Sequence, residues 1–395
     1  MKSVLLIEEQ VKQYRAPLYA TLYQMLRRRN INLQVAYSAP RRECGWEQDC
    51  QDLPPEYGRR VSSYRYFGGK LLYQPLLRQS LAADLVILDE GNRFFLNYLL
   101  LPLSLLRLKK VAFWGMGANR LAGSGSLPER FRRWRTTKAS WWFAYTAGTA
   151  EHVADLGFPF NRITNVNNST DSRSFRTLVS EIEEGEKDQL RAEFGIGRED
   201  PVAVFCGRLH PTKNLPFLLQ SARLIKQKCP RFHLILIGGG PTQFAGEVGS
   251  NTAAWIHVTG ARVGRDKAAL FSISDVLLMP EAVGLVIVDA FAAGLPLLTT
   301  DSHRHGPEIE YLQSGGNGLM TSADVEQFAM ATAEVLSRRD YLAHLQKGAW
   351  LSGGKYSIET MAHNFSVGIA TCLEGRTEHS AHKGEAASRT VARER

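Results

Sequence analysis

Two carboxylates, Glu281 and Asp289, bracket a single glycine in the segment 279-MPEAVGLVIVDAFAAGLPLLTT-300. Apolar Leu278 and Met279 read as the end of a strand, and the run after Gly284 reads as an amphipathic helix. At such a junction the amides of Gly284, Leu285 and Val286 have no partner inside the helix, and with the helix dipole they attract phosphate. Gly284 allows a ligand to approach the backbone closely. Asp289 lies five residues further on, about 7 Å along the axis at 1.5 Å per residue. That distance suits a ribose whose diphosphate lies on the amides, and a carboxylate there can accept from two hydroxyls.

Upstream, 202-VAVFCGRLHPTKNLPFLLQSARLIKQ-227 reads as a strand, a glycine turn carrying Arg208 and Lys213, and a helix with Leu215, Phe217, Leu218, Ala222 and Ile225 mostly on one face. Cations fixed at a strand end suit a diphosphate leaving group. It gains negative charge as its bond breaks, so they stabilise the transition state more than the ground state.

Together, in this order, the two segments resemble the retaining glycosyltransferases of family 4. The family's E-x7-E signature is matched by Glu281 and Asp289, with aspartate in the second place, where its shorter arm reaches about one methylene less. Its G-R-L-x-x-x-K-[GN] pattern is matched by Gly207, Arg208, Leu209, Lys213 and Asn214. The resemblance implies an α/β protein of the GT-B fold, with two Rossmann-like domains facing across a cleft. In that family the arginine and lysine bind the donor diphosphate, which falls here to Arg208 and Lys213. Glu281 is then expected near the transferred sugar and Asp289 on the ribose. Gly207, Asn214, Gly239, Arg262, Gly284, Leu285 and Val286 are expected to contact the donor, Gly239 within a Gly238–Gly240 turn lining the cleft and Arg262 in a loop beside the nucleobase.

Further matches extend into the first half. The segment 12-KQYRAPLYATLYQML-26 resembles the Y-R-x-P-F segment of a subgroup that builds surface polysaccharides, and 111-VAFWGMGANR-120 resembles its WGHG segment. The stretch 162-RITNVNNSTDSRSF-175 resembles the hinge leading to the second domain. The expected organisation is an acceptor domain over 1–172, a donor domain over 173–357, a helix over 358–373 crossing back to the first domain, and a disordered tail over 376–395. Met116 stands where the subgroup has histidine, and residues 1–151 contain no histidine. Retaining transfer does not depend on one, because the departing phosphate oxygen can take the acceptor proton. Glu9, Glu90 and Met116 are the acceptor-side candidates, with Glu8 and Asp89 at the same strand ends; open α/β sheets bind ligands there. His303 and His305 follow the strand after the key helix and read either as cleft residues or as loop packing.

The implied activity is transfer of a hexose-type unit from a nucleotide diphosphate sugar to a hydroxyl, on a lipid-linked polysaccharide intermediate. A catalytically weakened scaffold and a nucleotide-sugar epimerase of the same fold are the rival readings. No D-x-D triplet occurs, so protein cations are expected in place of a metal, and no cofactor beyond the donor co-substrate.

The elements that must position these residues are legible too. A chain of 395 residues suits two α/β cores, and 44% apolar with 22% charged residues is ordinary for a globular enzyme. Strands are predicted at 3–7, 32–37, 85–89, 110–115 and 141–145, with a helix near 16–29. The tail from Arg376 is polar and charged, too poor in apolar groups to order itself. The N-terminal MKSVLLIEEQ reads as a first strand and not as an export signal, so a cytoplasmic location is expected. Five cysteines without a CxxC pair support neither a disulfide framework nor a zinc site.

Charge is unevenly divided. Residues 1–180 hold 26 Lys plus Arg against 14 Asp plus Glu, leaving 22 against 25 for the remainder. The excess clusters with aromatic residues in 127-LPERFRRWRTTKASWWFAY-145, just after the apolar run Phe94 to Leu106. That run, interrupted by Pro102, is shorter than the ~20 residues a membrane span needs. The basic segment reads as attachment to the anionic inner face of a membrane, with Arg132, Arg133 and Arg135 as its cations, or as a solvated helix. No nucleic-acid motif accompanies it.

Overall fold

The computed structural model describes residues 1–40, 50–117, 127–240 and 254–375. The chain divides into two compact units, one of Met1–Asn167 together with the segment from Met361, the other of Asn168–Thr360. The expected tail over 376–395 and the last three residues of the WGHG-like segment lie outside the described residues.

The first unit is built from β1 (Lys2–Ile7), α1 (Ala16–Arg28), β2 (Ile31–Ser38), β3 (Gly58–Val61), the antiparallel pair β4 (Tyr64–Tyr66) and β5 (Leu71–Tyr73), and α2 (Leu77–Ala82). It continues with β6 (Leu85–Asp89), α3 (Phe95–Leu105), β7 (Lys110–Gly115), α4 (Leu127–Thr136), β8 (Trp141–Ala144), α5 (Ala147–Asp155) and β9 (Ile163–Asn165). Seven strands form one parallel sheet in the order β3-β2-β1-β6-β7-β8-β9. Helices cover such sheets on both faces, so the central strands need unbroken apolar runs, and LVIL in β6 and WWFA in β8 are buried throughout. The hinge-like stretch opens with β9, a sheet strand that its asparagines conceal.

The second unit comprises α6 (Ser172–Ser180), α7 (Glu184–Glu193), β10 (Val202–Cys206), α8 (Leu215–Lys228), β11 (His233–Ile237), β12 (Ile256–Gly260) and α9 (Gly264–Ser272). Then come β13 (Val276–Leu278), α10 (Val286–Ala292), β14 (Leu297–Thr300), β15 (Gly318–Thr321), α11 (Val325–Ser337), α12 (Arg339–Gly353) and the start of α13 (Ile358–Glu374). Its six parallel strands run β12-β11-β10-β13-β14-β15. The chain therefore has two Rossmann-like α/β units of the GT-B type.

The division between units falls earlier than the expected residue 172, because the segment before α6 is bonded into the second unit. Tyr311 donates its hydroxyl to the Asn168 carbonyl at 3.0 Å, and Thr170 donates to Asp289 at 2.7 Å. From Met361 onward α13 belongs to the first unit. Phe365 stacks on Phe143 at 4.7 Å and meets Trp114 edge-on at 5.0 Å. Lys110 donates to the Cys372 and Leu373 carbonyls, both at 2.7 Å, and so satisfies open carbonyls at the helix's carboxyl end.

One expectation about the basic segment is corrected. Arg135 is only 1% exposed and donates to the Glu90 and Gly91 carbonyls, while Trp141 and Trp142 are buried strand residues. As the strand predicted over 141–145 implies, WWFA forms β8 in the sheet, so these tryptophans are not part of the basic surface. Phe131, Arg133 and Trp134 are exposed. No helix among the described residues is long and apolar enough to cross a membrane.

Candidate functional site

In the second unit the strand order reverses between β10 and β13, the switch point outside whose carboxyl ends open α/β sheets bind ligands. Gly207, Arg208 and Lys213 follow β10, and Glu281 follows β13. The two sequence segments are thus brought to adjacent strand ends.

Backbone bonds tie the loops there. Gly207 N donates to Ile237 O at 2.9 Å, Leu209 N to Gly239 O at 3.0 Å and Gly238 N to Gly260 O at 2.9 Å. This approach is why glycines occur there. A Cβ on Gly238 would lie 1.8 Å from Gly207 O, and one on Gly240 2.4 Å from Leu209 O. Two of the three glycines expected to line a cleft are therefore dictated by loop-on-loop packing. A Cβ on Gly239 would meet only Ala261, at 3.8 Å.

Lys213 ends a short 3-10 turn, and Asn214 adopts the left-handed conformation, φ 49°, before α8 begins. The turn directs Lys213 Nζ to the Ala282 carbonyl at 2.5 Å, and burial lowers the pKa of its ammonium. Asn214 Nδ2 donates to Glu281 Oε1 at 3.2 Å, and Arg304 Nη1 lies 3.2 Å from Glu281 Oε2. Both oxygens of this carboxylate are held, and Arg304 is a cation that the sequence reading missed. Arg208 and Arg262 are exposed at the ends of β10 and β12.

The loop from Glu281 to Gly284 is fixed from beneath. Ala282 takes φ 52°. Val283 N donates to His305 Nδ1 at 3.1 Å, which leaves His305 Nε2 to donate to Thr300 O at 2.8 Å. Gly306 N donates to Val283 O at 2.6 Å. Buried His305 thus packs the loop; His303 is exposed. A Cβ on Gly284 would meet nothing within 4 Å, so space lies open above this glycine. The amides of Gly284, Leu285 and Val286 donate to no group among the described residues. Glu308, a buried carboxylate in the GPEIEY stretch, accepts from Asn168; no sequence signal marked it.

Asp289 is already engaged. Its Oδ2 lies 2.5 Å from Lys267 Nζ, and its Oδ1 accepts from Thr170. The Lys267 ammonium also sits over the Phe175 and Phe271 rings, at 4.9 and 5.3 Å from their centroids. Burial alone would lower the lysine's pKa, but the Asp289 charge, with Cys206, reverses the sign and raises it. Any hydroxyl reaching Asp289 shares a carboxylate whose two oxygens each already have one donor.

In the first unit the strand order reverses at β1 and β6. Among the acceptor-side candidates, Glu9 is paired with Arg65 at 2.5 Å and with Arg93. Glu90 Oε1 accepts from Gly117 N at 2.8 Å, and Met116 is exposed beyond β7. Glu8, weighed with them, has the more perturbed setting. Burial raises its pKa from 4.5 to about 7, although the Tyr19 hydroxyl donates to it at 2.7 Å. Asp89 is raised by burial too, against the bond it accepts from Gly91 N at 2.6 Å. Beside them Arg15 is buried among the rings of Tyr14, Trp114 and Tyr145, 4.9 to 5.6 Å from their centroids. Arg15 lies in the YRAPLY motif, so that resemblance was the signal that could have marked it.

Residues 200–338, the part of the second unit from β10 to α11, match the family described as glycosyl transferases group 1. The chain is 29% identical over 168 residues to the GDP-mannose-dependent alpha-(1-6)-phosphatidylinositol monomannoside mannosyltransferase of Mycobacterium tuberculosis, covering 38% of this chain and 42% of that one. It is 25% identical over 252 residues to the D-inositol 3-phosphate glycosyltransferase of Nocardia farcinica, covering 60% of this chain and 51% of the relative. The chain thus spans about half, or less, of the length of the curated relatives it matches. Among solved structures it is similar to Anabaena HepE in complex with UDP, with a TM-score of 0.68 at 16% identity over 94% of this chain and 100% of that one, a likeness of fold.

Proposed function

We propose that this chain is a retaining glycosyltransferase that moves a sugar from a nucleotide diphosphate sugar to a hydroxyl on a lipid-linked polysaccharide intermediate, working at the cytoplasmic face of a membrane. One observation carries the reading. At the β10/β13 switch point the loops after the two strands carry Arg208 and Lys213, the Arg304-held Glu281 and three uncommitted amides, with open space above Gly284. A diphosphate on those amides would have Arg208 and Lys213 to neutralise the charge that develops as it leaves. The bond from the anomeric carbon to the phosphate oxygen breaks, and the acceptor oxygen bonds to the same face. The acceptor proton passes to the departing phosphate oxygen, so Met116 in place of histidine is no obstacle. Asp289 binds the ribose, with Lys267 and Thr170 fixing its direction, and Arg262 borders the base. The same cations make a metal unnecessary.

Several similarities support the reading. One curated relative is named for transfer to a phosphatidylinositol monomannoside, a lipid-borne acceptor, and a solved structure with this fold holds UDP. The test is release of free nucleotide diphosphate from a panel of nucleotide sugars, with and without acceptor, with the anomer of the product read by NMR. Release that requires acceptor and gives a retained anomer is expected. Donor binding without turnover would mean a scaffold, and interconversion of the donor without acceptor would mean an epimerase.

A further inference from the structure

The first unit carries a second basic feature, away from the strand ends just described. Lys110 opens β7 and Trp141 opens β8, and both border a cavity of about 520 Å³ at the amino ends of these strands. Strand β7 spans six residues, roughly 20 Å at 3.3 Å per residue, so the cavity lies about that far from Met116 and from the carboxyl ends where Glu8 and Asp89 sit. Among the described residues, five cationic side chains line it, those of Arg107, Lys109, Lys110, Lys138 and Arg162, and no Asp or Glu does.

Two of the five cations serve the fold. Lys109 donates to Leu81 O at 2.9 Å, and Lys110 donates to the carbonyls at the end of α13. The other three make no hydrogen bond or ion pair through their side chains among the described residues. Lys138 lies over the exposed Trp134 ring at 5.6 Å and Arg162 over the Phe158 ring at 5.3 Å, positions that hold each cation without neutralising it. Arg107 sits at φ 57° in the turn that ends α3. On either side of it Leu106 and Leu108 are 67% and 71% exposed.

We infer that this cavity and its turn form a docking site for the headgroup phosphate of an anionic membrane lipid, with Arg107, Lys138 and Arg162 on the phosphate and Leu106 and Leu108 entering the acyl boundary. A soluble anion would account for the cations but not for two exposed leucines flanking one of them. A lipid surface accounts for both, since it presents negative charge above an apolar layer. The inference deepens the membrane part of the proposed function and does not depend on sugar transfer.

The test is flotation of the full chain with vesicles, in the absence of donor. Wild type is expected to bind phosphatidylglycerol–phosphatidylcholine vesicles and not phosphatidylcholine alone. At about 1 kcal/mol per cation near an anionic surface, the triple variant Arg107→Gln, Lys138→Gln, Arg162→Gln should bind about a hundredfold more weakly. Among the described residues these side chains make no hydrogen bond or ion pair, so the variant's melting curve should match wild type. Leu106→Ser with Leu108→Ser should also weaken binding while leaving its salt dependence unchanged. Undiminished binding by the triple variant would overturn the site. So would binding lost through Arg130→Gln with Arg133→Gln on α4 instead, or tighter binding to single-stranded RNA than to vesicles. If the wild type binds no vesicle, the membrane reading fails with the site; if vesicles bind but the triple variant is unaffected, only the site fails.

Discussion

Replacing Lys267 by methionine isolates the ion pair that holds Asp289. The pair spans 2.5 Å, and the two side chains are 16% and 14% exposed, so water compensates little when the cation is removed. Breaking a buried pair from one side costs about 3–5 kcal/mol, because a charge is left buried without a partner. Thr170 still donates to Asp289, which places the expected loss near the lower end, about 3 kcal/mol. For a unit of this size, in which each kcal/mol shifts the midpoint by about 2–4 °C, the melting transition of the second unit should fall by about 6–12 °C. Asp289→Asn should cost less, since an amide oxygen still accepts from Thr170 and the Lys267 ammonium keeps the faces of Phe175 and Phe271. The double variant Lys267→Met, Asp289→Asn then has no buried charge left to strand. It should recover about 1–3 kcal/mol relative to the sum of the single variants. Urea and thermal unfolding of all four proteins give the cycle, and donor titrations on the same set report whether the directed carboxylate matters for binding. A coupling energy near zero would refute the reasoning.

Arg208→Ala and Lys213→Ala should each reduce turnover about a hundredfold with little change in melting temperature, the scale of losing one preorganised group at a developing charge; normal turnover in both would remove the diphosphate assignment. Activity should survive EDTA, and loss restored by added Mg2+ would count against protein cations as the only neutralising charges. The two units should respond oppositely to pH. Glu8 is raised from 4.5 to about 7, so its contribution to the first unit is full below 4.5 and is lost as pH rises towards 7. His257 is lowered from 6.5 to about 4 by burial and by stacked His233, so the second unit is expected to lose stability as pH falls from 6.5 towards 4. Glu8→Gln and His257→Gln should each flatten the pH dependence of their own unit's melting transition, and an unchanged dependence in either would remove that residue as its source.

Much of this was legible from the chain because the pattern was local. Parallel strands buried on both faces must be apolar runs, and LVILD, KVAFWG, VAVFC and HLILI are such runs, so the strands bearing the candidate residues could be placed nearly to the residue. The failures share a cause: a side chain's partner lies far away in sequence. Arg135 looked like surface charge because its neighbours are charged, yet the carbonyls it meets belong to Glu90 and Gly91. Gly238 and Gly240 looked like ligand-facing glycines, but what excludes a side chain there is the backbone of Gly207 and Leu209, some thirty residues earlier. Asp289 looked free for a ribose because the residues that occupy it, Lys267 and Thr170, come from a helix start with no motif and from a hinge-like segment. Glu9 was preferred to Glu8 although only their surroundings distinguish them, two arginines at one and a tyrosine in a buried corner at the other. Spacing along the chain can therefore nominate a carboxylate, but its protonation and the number of lone pairs it has left are set by residues the topology delivers from elsewhere. That is why spacing picks out Glu281 and Asp289 as residues but not together with Arg304 and Lys267, which hold them. It also makes Lys267, absent from every motif match, the substitution that most directly tests how the site is held.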